Sequence, residues 1–332
     1  MKIWTPEYFR HFRCIAGDCP DSCCKEWEVD VDDAATVFYR SLEGPLGDRL
    51  RQVLTDTDNG TLMRIEDGRC PMWRQDGLCR IQAELGHDAL CQVCREFPRL
   101  RHDYGDFVEY GLELSCPEAA RLILSLPHTM TAEEVAGGDL PEYDTDAMAV
   151  LLESRATVLA FLDTAILPFN EVLAVLLLYA YEVQGWLDGG DPAVLDAENC
   201  LSTAKKYAVN GNWEQFLDFF RNLEILTPQW KDRLSASSGS LSWHSGFFPL
   251  AKYFAGRYWL QAVSDYDLIG RVKFLISACL LICRLGGEFS QTAQLFSKEI
   301  ENDPDNLEAI LDGAYTDPAL TDIHLLSLLL NS

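Results

Sequence analysis

Apolar positions recur along this chain in two rhythms. Over residues 1–126 they come in short groups cut by polar turns, and from Asp144 onward they fall at the three- and four-residue spacing of packed helices. In the first part, Thr5-Pro6-Glu7 predicts a helix start: a capping hydroxyl, proline at the first helical position and a carboxylate in the first turn. Trp27, Val29 and Val31 alternate with acids as a half-buried strand does, and 62–66 and 107–114 read as further strands. Residues 33–54 carry a helical pattern broken at Gly44-Pro45, and 55–60 have turn composition. Residues 127–143 have no period and hold Gly137-Gly138 and Pro141, which predicts a linker or mobile loop. In the second part helices are predicted over 147–166, 172–187, 213–226, 248–263 and 268–285. A capping residue before proline signals starts at Asp191-Pro192, Thr227-Pro228, Asp303-Pro304 and Asp317-Pro318, and Asn212-Trp-Glu-Gln215 resembles a capping box. The expected fold is mainly α: a cysteine-rich α+β unit with little sheet over 1–126, a linker over 127–143, and a helical bundle over 144–332.

The chain has 332 residues, 48% of them hydrophobic, so it can bury a sizeable core without disulfides. Its start, Met1-Lys-Ile-Trp-Thr-Pro, lacks a positive region followed by an apolar run, so no secretory signal and a cytoplasmic, reducing location are expected. The longest apolar stretches, 172–181 and 274–283, fall short of the ~20 residues that cross a bilayer, so no membrane partner is expected. With 27 basic against 52 acidic residues the formal charge is −25, which repels a phosphate backbone and argues against nucleic acid. The same charge would draw in a lysine-bearing partner.

Cysteine spacing changes the picture most. Four thiols lie within Cys14-Ile-Ala-Gly-Asp-Cys19-Pro-Asp-Ser-Cys23-Cys24, answered by Cys70-Pro71, Cys79, Cys91-x-x-Cys94 and Cys116-Pro117. Nine of the twelve cysteines thus fall between 14 and 116, whereas Cys200, Cys279 and Cys283 sit in apolar runs where a cysteine acts as a small hydrophobe. In a reducing compartment clustered thiols read as metal ligands or redox groups rather than disulfides. Crowded thiolates repel one another and a cation relieves this; a structural zinc contributes on the order of 10 kcal/mol or more to folding. The absence of finger-spaced histidine weighs against zinc, although all-cysteine zinc sites exist, and the Cys-Pro pairs and uneven spacing favour an iron-sulfur cluster. Cys91 and Cys94 also fit a thiol redox pair. Adjacent Cys23 and Cys24 point in different directions from an extended backbone, so one of them can ligate while the other packs or hydrogen-bonds.

Several segments together resemble the flagellin lysine N-methylase family: Phe12-Arg-Cys14-Ile-Ala-Gly-Asp-Cys19 on to Trp27, Gly77-Leu-Cys79-Arg-Ile-Gln, Cys94-Arg-Glu-Phe-Pro-Arg99 and Ser115-Cys116-Pro-Glu-Ala-Ala-Arg-Leu. The helical part agrees, with Phe248-Pro249 to Tyr258, Arg271-Val-Lys-Phe-Leu, and Ser297-Lys-Glu-Ile-Glu followed by Asn306-Leu-Glu-Ala. The resemblance implies methyl transfer from S-adenosylmethionine to lysine side chains of flagellin by a protein carrying an iron-sulfur cluster, 4Fe-4S in type, with zinc as the alternative. Cys91 stands where the family has serine, which leaves Cys14, Cys19, Cys23, Cys24, Cys70, Cys79, Cys94 and Cys116 as expected ligands. The competing class is a non-enzymatic zinc- or iron-binding protein whose thiols are structural or sensory.

Lysine methylation needs the neutral amine, and at a free pKa of ~10.4 its deprotonation at pH 7 costs roughly 4–5 kcal/mol. Tyr104, Tyr110, Trp73 and Phe97 could line a desolvating pocket, though each suits a core better, and Arg95 and Arg99 could clamp a carboxylate, though a structural ion pair with Glu96 or Asp103 is the expectation. No glycine-rich dinucleotide loop follows a strand, and Gly286-Gly287 reads as a helix end. No residue is assigned to catalysis or to holding the methyl donor.

Overall fold

The computed structural model describes residues 1–25, 28–236 and 241–331. Trp27 and the end of the serine-rich tract at 235–240 lie outside them. The chain opens on a strand, β1 (Lys2–Pro6), and then a short helix, α1 (Glu7–His11). The predicted cap Thr5 belongs to the strand and Pro6 itself precedes the helix. A small unit follows: β2 (Val29–Val31), α2 (Asp33–Ser41), α3 (Gly44–Val53), β3 (Leu54–Thr57), β4 (Gly60–Met63), α4 (Arg80–Leu85) and α5 (Gln92–Glu96). The chain then returns through β5 (Arg99–Asp103), β6 (Phe107–Leu112), α6 (Pro117–Ser125) and β7 (Met130–Glu134).

Two sheets result. One has the order β5-β6-β1-β7, with β1 parallel to β6 and the other pairs antiparallel; the other is the antiparallel β2-β4-β3. β7 lies within the stretch read as a linker, and residues 55–57, read as turn, pair with β4. β5 and β7 escape a search for apolar alternation because their exposed sides carry arginine, aspartate or glutamate, and strand pairing alone holds them extended.

Helices fill the rest of the chain: α7 (Thr145–Thr164), α8 (Phe169–Leu187), α9 (Ala197–Tyr207), α10 (Trp213–Arg221), α11 (Pro228–Ala236), α12 (Phe247–Tyr258), α13 (Leu268–Leu285), α14 (Phe289–Phe296), α15 (Pro304–Thr316) and α16 (Asp322–Leu330). The molecule is mainly α, as expected. Helix starts lie where local capping is strong: Asn212 accepts from Gln215 N, Asp303 from Asn306 N, and Thr227 Oγ1 from Trp230 N. Asp191-Pro192 starts no helix. The capping acid there is Asp196, whose carboxylate accepts from Asn199 N at the head of α9. No helix among the described residues is long and apolar enough to cross a membrane.

The hydrophobic cores divide differently from the sequence boundary. The larger core runs without a break from Tyr8, Phe12, Phe107 and Leu112 through α6 into the bundle, where α13 is buried on every side from Leu268 to Cys283. The smaller one, around Val29, Tyr39, Leu50, Met63, Met72 and Ile81, belongs to the 29–91 unit and takes in Cys70 and Cys91. Residues 1–25 and the β5–α6 return bridge the two, and the cysteines lie at this junction.

A thiol-lined cavity at the junction of two cores

Local structure sets each thiol. The loop after α1 carries Cys14 and Cys19 around a single 3-10 turn at Ala16–Asp18, with Ala16 N donating to Cys14 Sγ (3.4 Å) and Cys19 Sγ donating to the Asp21 carbonyl (3.1 Å). The Cys70–Cys79 turn is strapped beside it by Cys70 N donating to Cys24 O (2.8 Å) and Arg80 N to Met72 O (2.7 Å). Two glycines permit the approach of these segments. A Cβ on Gly17 would meet Asp76 O at 3.1 Å; Gly77, at φ +81°, would bring one to 3.2 Å from the Gly17 Cα. Cys79, Cys91 and Cys116 each sit just before a helix, α4, α5 and α6 respectively. Burial pushes the Cys79 and Cys116 thiols up, Cys116 to about 11, while the first-turn amides of their helices pull the other way.

Seven of the eight expected ligands line one cavity of about 280 Å³: Cys14, Cys19, Cys23, Cys24, Cys79, Cys94 and Cys116, brought there by four chain segments. The eighth, Cys70, lies beneath the wall, 9% exposed, with its sulfur 3.5 Å from Met63 Sδ. Cys91 is also outside the lining and buried under Cys94. Cys94 beside Cys91 draws the Cys91 thiol down, and Cys23 and Cys70 beside Cys24 draw the Cys24 thiol well down. Cys23, Cys70 and Cys94 move up as the donors in these pairs. Cys200, Cys279 and Cys283 are buried far along the chain from this cavity, as small hydrophobes.

Among the described residues, no three thiol, imidazole or carboxylate groups are arranged to hold a single metal ion. A cavity of about 280 Å³ is nearly ten times the ~30 Å³ share of one water in the liquid. Soft thiolate donors around such a space suit zinc or an iron-sulfur group alike.

The cavity also takes charge from residues that sequence reading passed over. Gln294 and Lys298, one helical turn apart, reach Asp21 on the cavity wall from the bundle behind it. Lys298 Nζ lies 3.1 Å from Asp21 Oδ2, and Gln294 donates to Asp21 Oδ2 (3.1 Å) and to the Ser115 carbonyl (2.7 Å). Lys298 is only 2% exposed and occupies a π turn, Ser297–Glu301, that widens the helix after α14. The available signal was a lysine and a glutamine at i, i+4 beside an apolar run. Arg13, Arg95 and Arg99 line the wall. Neither Arg95 nor Arg99 makes the ion pair expected of it: Asp103 pairs with Arg101 (2.7 Å), Arg95 donates to the Leu90 carbonyl, and the Arg99 guanidinium lies over the Phe12 ring at 5.0 Å. Of the aromatic candidates only Phe97 lines the cavity; Tyr104 packs on Phe107, Tyr110 on Phe9, and the Arg69 guanidinium lies over Trp73 at 4.0 Å.

Fold and site together define a thiol-lined cavity carried on a helical platform, with arginines rather than free carboxylates on its wall. The chain is 33% identical over 141 residues to the "Lysine-N-methylase" of Salmonella choleraesuis, a match covering 40% of this chain and 35% of that protein. It has the same identity over the same length to the "Flagellar biosynthetic protein FliU" of Salmonella muenchen, there covering 83% of the relative, and 32% identity to the "Lysine-N-methylase" of Salmonella typhimurium. No family model and no solved structure matches. The chain belongs to the flagellin lysine N-methylase family, and its match spans about a third of the length of the two lysine-N-methylases.

Proposed function

We propose that this protein transfers methyl groups from S-adenosylmethionine to lysine side chains of a flagellin in the cytoplasm, with its cavity thiols holding a 4Fe-4S cluster. The observation that carries the reading is the gathering of seven thiols from four segments around one cavity, in a chain whose relatives bear lysine-N-methylase and flagellar names. When bound, the cluster would tie the cysteine segments together and offer an iron face to a carboxylate. The protein's own groups address the proton. The acidic exterior, at −25 overall, draws a basic flagellin segment towards the surface, whereas a free carboxylate beside the amine would keep it protonated. Asp21 is the one carboxylate among the described lining residues, and it is engaged by Lys298, Gln294 and, at 3.6 Å, Lys25. The three wall arginines disfavour a second cation, lowering the roughly 4–5 kcal/mol cost of the neutral amine. Arg95 and Arg99, without ion-pair partners among the described residues, carry donors for the carboxylate of the methyl donor.

The test is anaerobic incubation of the iron-loaded protein with S-adenosylmethionine and a flagellin, read by mass spectrometry. A methyl mass gain on lysine with release of S-adenosylhomocysteine is expected. Neither product across several flagellins would overturn the reading in favour of a metal-binding protein without methylase activity, and 5'-deoxyadenosine would replace it with radical chemistry.

A further inference from the structure

Away from the thiols, a cleft runs between α7 and one face of the four-stranded sheet. Strand register sets His102, Glu109, Trp4 and Ala132 in one row across that face, with Phe107, Lys2 and Glu134 in the next row on the same side. Arg155 of α7 donates to both Glu109 oxygens (2.8 and 2.5 Å), and this pair stands where two chambers of the cleft meet. The outer chamber, about 710 Å³ and open, is walled by Trp4, Phe107, Tyr143, Leu152 and Leu159. The inner one, about 70 Å³, has room for more than one water. Glycines make that room. Gly111 leaves the strand bare beside Leu100, as strands do where another group comes close, and Gly256 of α12 has nothing within 4 Å of where its Cβ would stand.

Two polar groups of the inner lining have no partner among the described residues. Tyr8 is 8% exposed and its hydroxyl makes no hydrogen bond, and His102 Nε2 is buried and unpaired as well. Burial, aided by Arg257, pushes His102 down, and burial pushes Tyr8 up, so at pH 7 the imidazole is neutral with one N–H and the phenol keeps its proton. Arg155, Arg257 and Lys252 face the inner chamber against a single carboxylate, Glu109, which Arg155 already holds; Glu301 and Asp163, the partners of Arg257 and Lys252, stand behind the lining. In a chain with 27 basic against 52 acidic residues, that balance is a local inversion. The outer chamber instead sets Asp106 and Glu134 against Lys2, so an anion belongs at the inner end. We propose that this cleft is a second ligand site, taking an organic carboxylate whose head sits on Tyr8 and His102 in the inner chamber and whose apolar body lies against Trp4 and Phe107 in the outer one. Two carboxylate oxygens accept from the two idle donors, whereas an ammonium would bring donors to donors. An apolar pocket with a few convergent polar groups is the usual form of a small-molecule site. The site shares no lining residue with the thiol cavity and does not depend on methyl transfer.

The test is calorimetric titration of the full chain with hydrocinnamate, with octanoate and with inorganic phosphate, for the wild type, Tyr8→Phe and Gly256→Val. At least one of the two carboxylates is expected to bind the wild type saturably at one site per chain, and more tightly than phosphate. Tyr8→Phe removes one donor to the charged head and should weaken that binding roughly tenfold. Gly256→Val fills the inner chamber and should abolish it while the far-UV helix signal is retained. Saturable binding of neither carboxylate overturns the proposal, and so does binding of phosphate alone, which would leave the outer chamber without a ligand body. Carboxylate binding that is unchanged in Tyr8→Phe, or in folded Gly256→Val, also overturns it and assigns the inner chamber to water only. If Gly256→Val fails to fold, Tyr8→Phe decides.

Discussion

The interior of the bundle holds a charge whose removal has a calculable effect. Glu301, at the end of the π turn, has no exposed side-chain surface; its Oε1 accepts from Tyr258 OH (2.8 Å) and Tyr253 OH (3.0 Å) and lies 3.3 Å from Arg257 Nη1. Arg257 in turn donates to Tyr253 OH (2.6 Å), which also accepts from Leu114 N (3.3 Å). Glu301→Gln keeps an oxygen for the tyrosines and removes only the charge, leaving a buried guanidinium without its nearest counter-ion. Breaking a buried ion pair costs about 3–5 kcal/mol. Glu113 also acts on Arg257 and softens the loss, which places the expected cost near the lower end, about 3 kcal/mol. Urea unfolding followed by circular dichroism measures it, and the thermal midpoint should fall by roughly 4 °C. In a cycle with Arg257→Gln, the double variant should recover at least about 1 kcal/mol of the summed single losses, because neither charge is then stranded. A single-variant loss under about 1 kcal/mol, or strict additivity, would refute the argument that this pair is desolvated and coupled.

Two further outcomes follow from other polar contacts. Asp32 caps two helices with one carboxylate, accepting from Ala35 N (3.0 Å) at α2 and from Gln92 N (2.7 Å) at α5, and these bonds hold its pKa below the usual carboxylate range. Asp32→Ala should cost about 2 kcal/mol at pH 7, and the difference from wild type should shrink as pH falls through that depressed value; a gap unchanged by acid in urea titrations would contradict this. Burial brings His128 down from 6.5 to about 4, its Nε2–H donating to the Ile123 carbonyl (2.8 Å), so the unfolded chain takes up a proton before the folded one. Stability tied to His128 is therefore full above pH 6.5 and should drop by about 3 kcal/mol as pH approaches 4, a slope that His128→Gln should remove. An identical slope in the variant would assign the acid sensitivity to other groups.

What the sequence determined by itself lies within four or five residues of each signal. The caps at Asn212, Thr227 and Asp303, the breaks at Gly44 and Gly286, and the helical period of 268–285 depend on near neighbours and stand where they were read. That the cysteines cluster was equally legible, although which of them share a cavity was not. Tertiary structure decided what is non-local. β1 takes its partners from residues more than 100 positions away, and this pairing makes a strand of Met-Thr-Ala-Glu-Glu, whose own pattern does not call for one. The same closure sets Cys116 beside Cys14 and carries Lys298 to Asp21 across 277 positions. A local code specifies which backbone states are favourable, but burial of two cores against each other chooses which distant sulfurs and charges share one cavity.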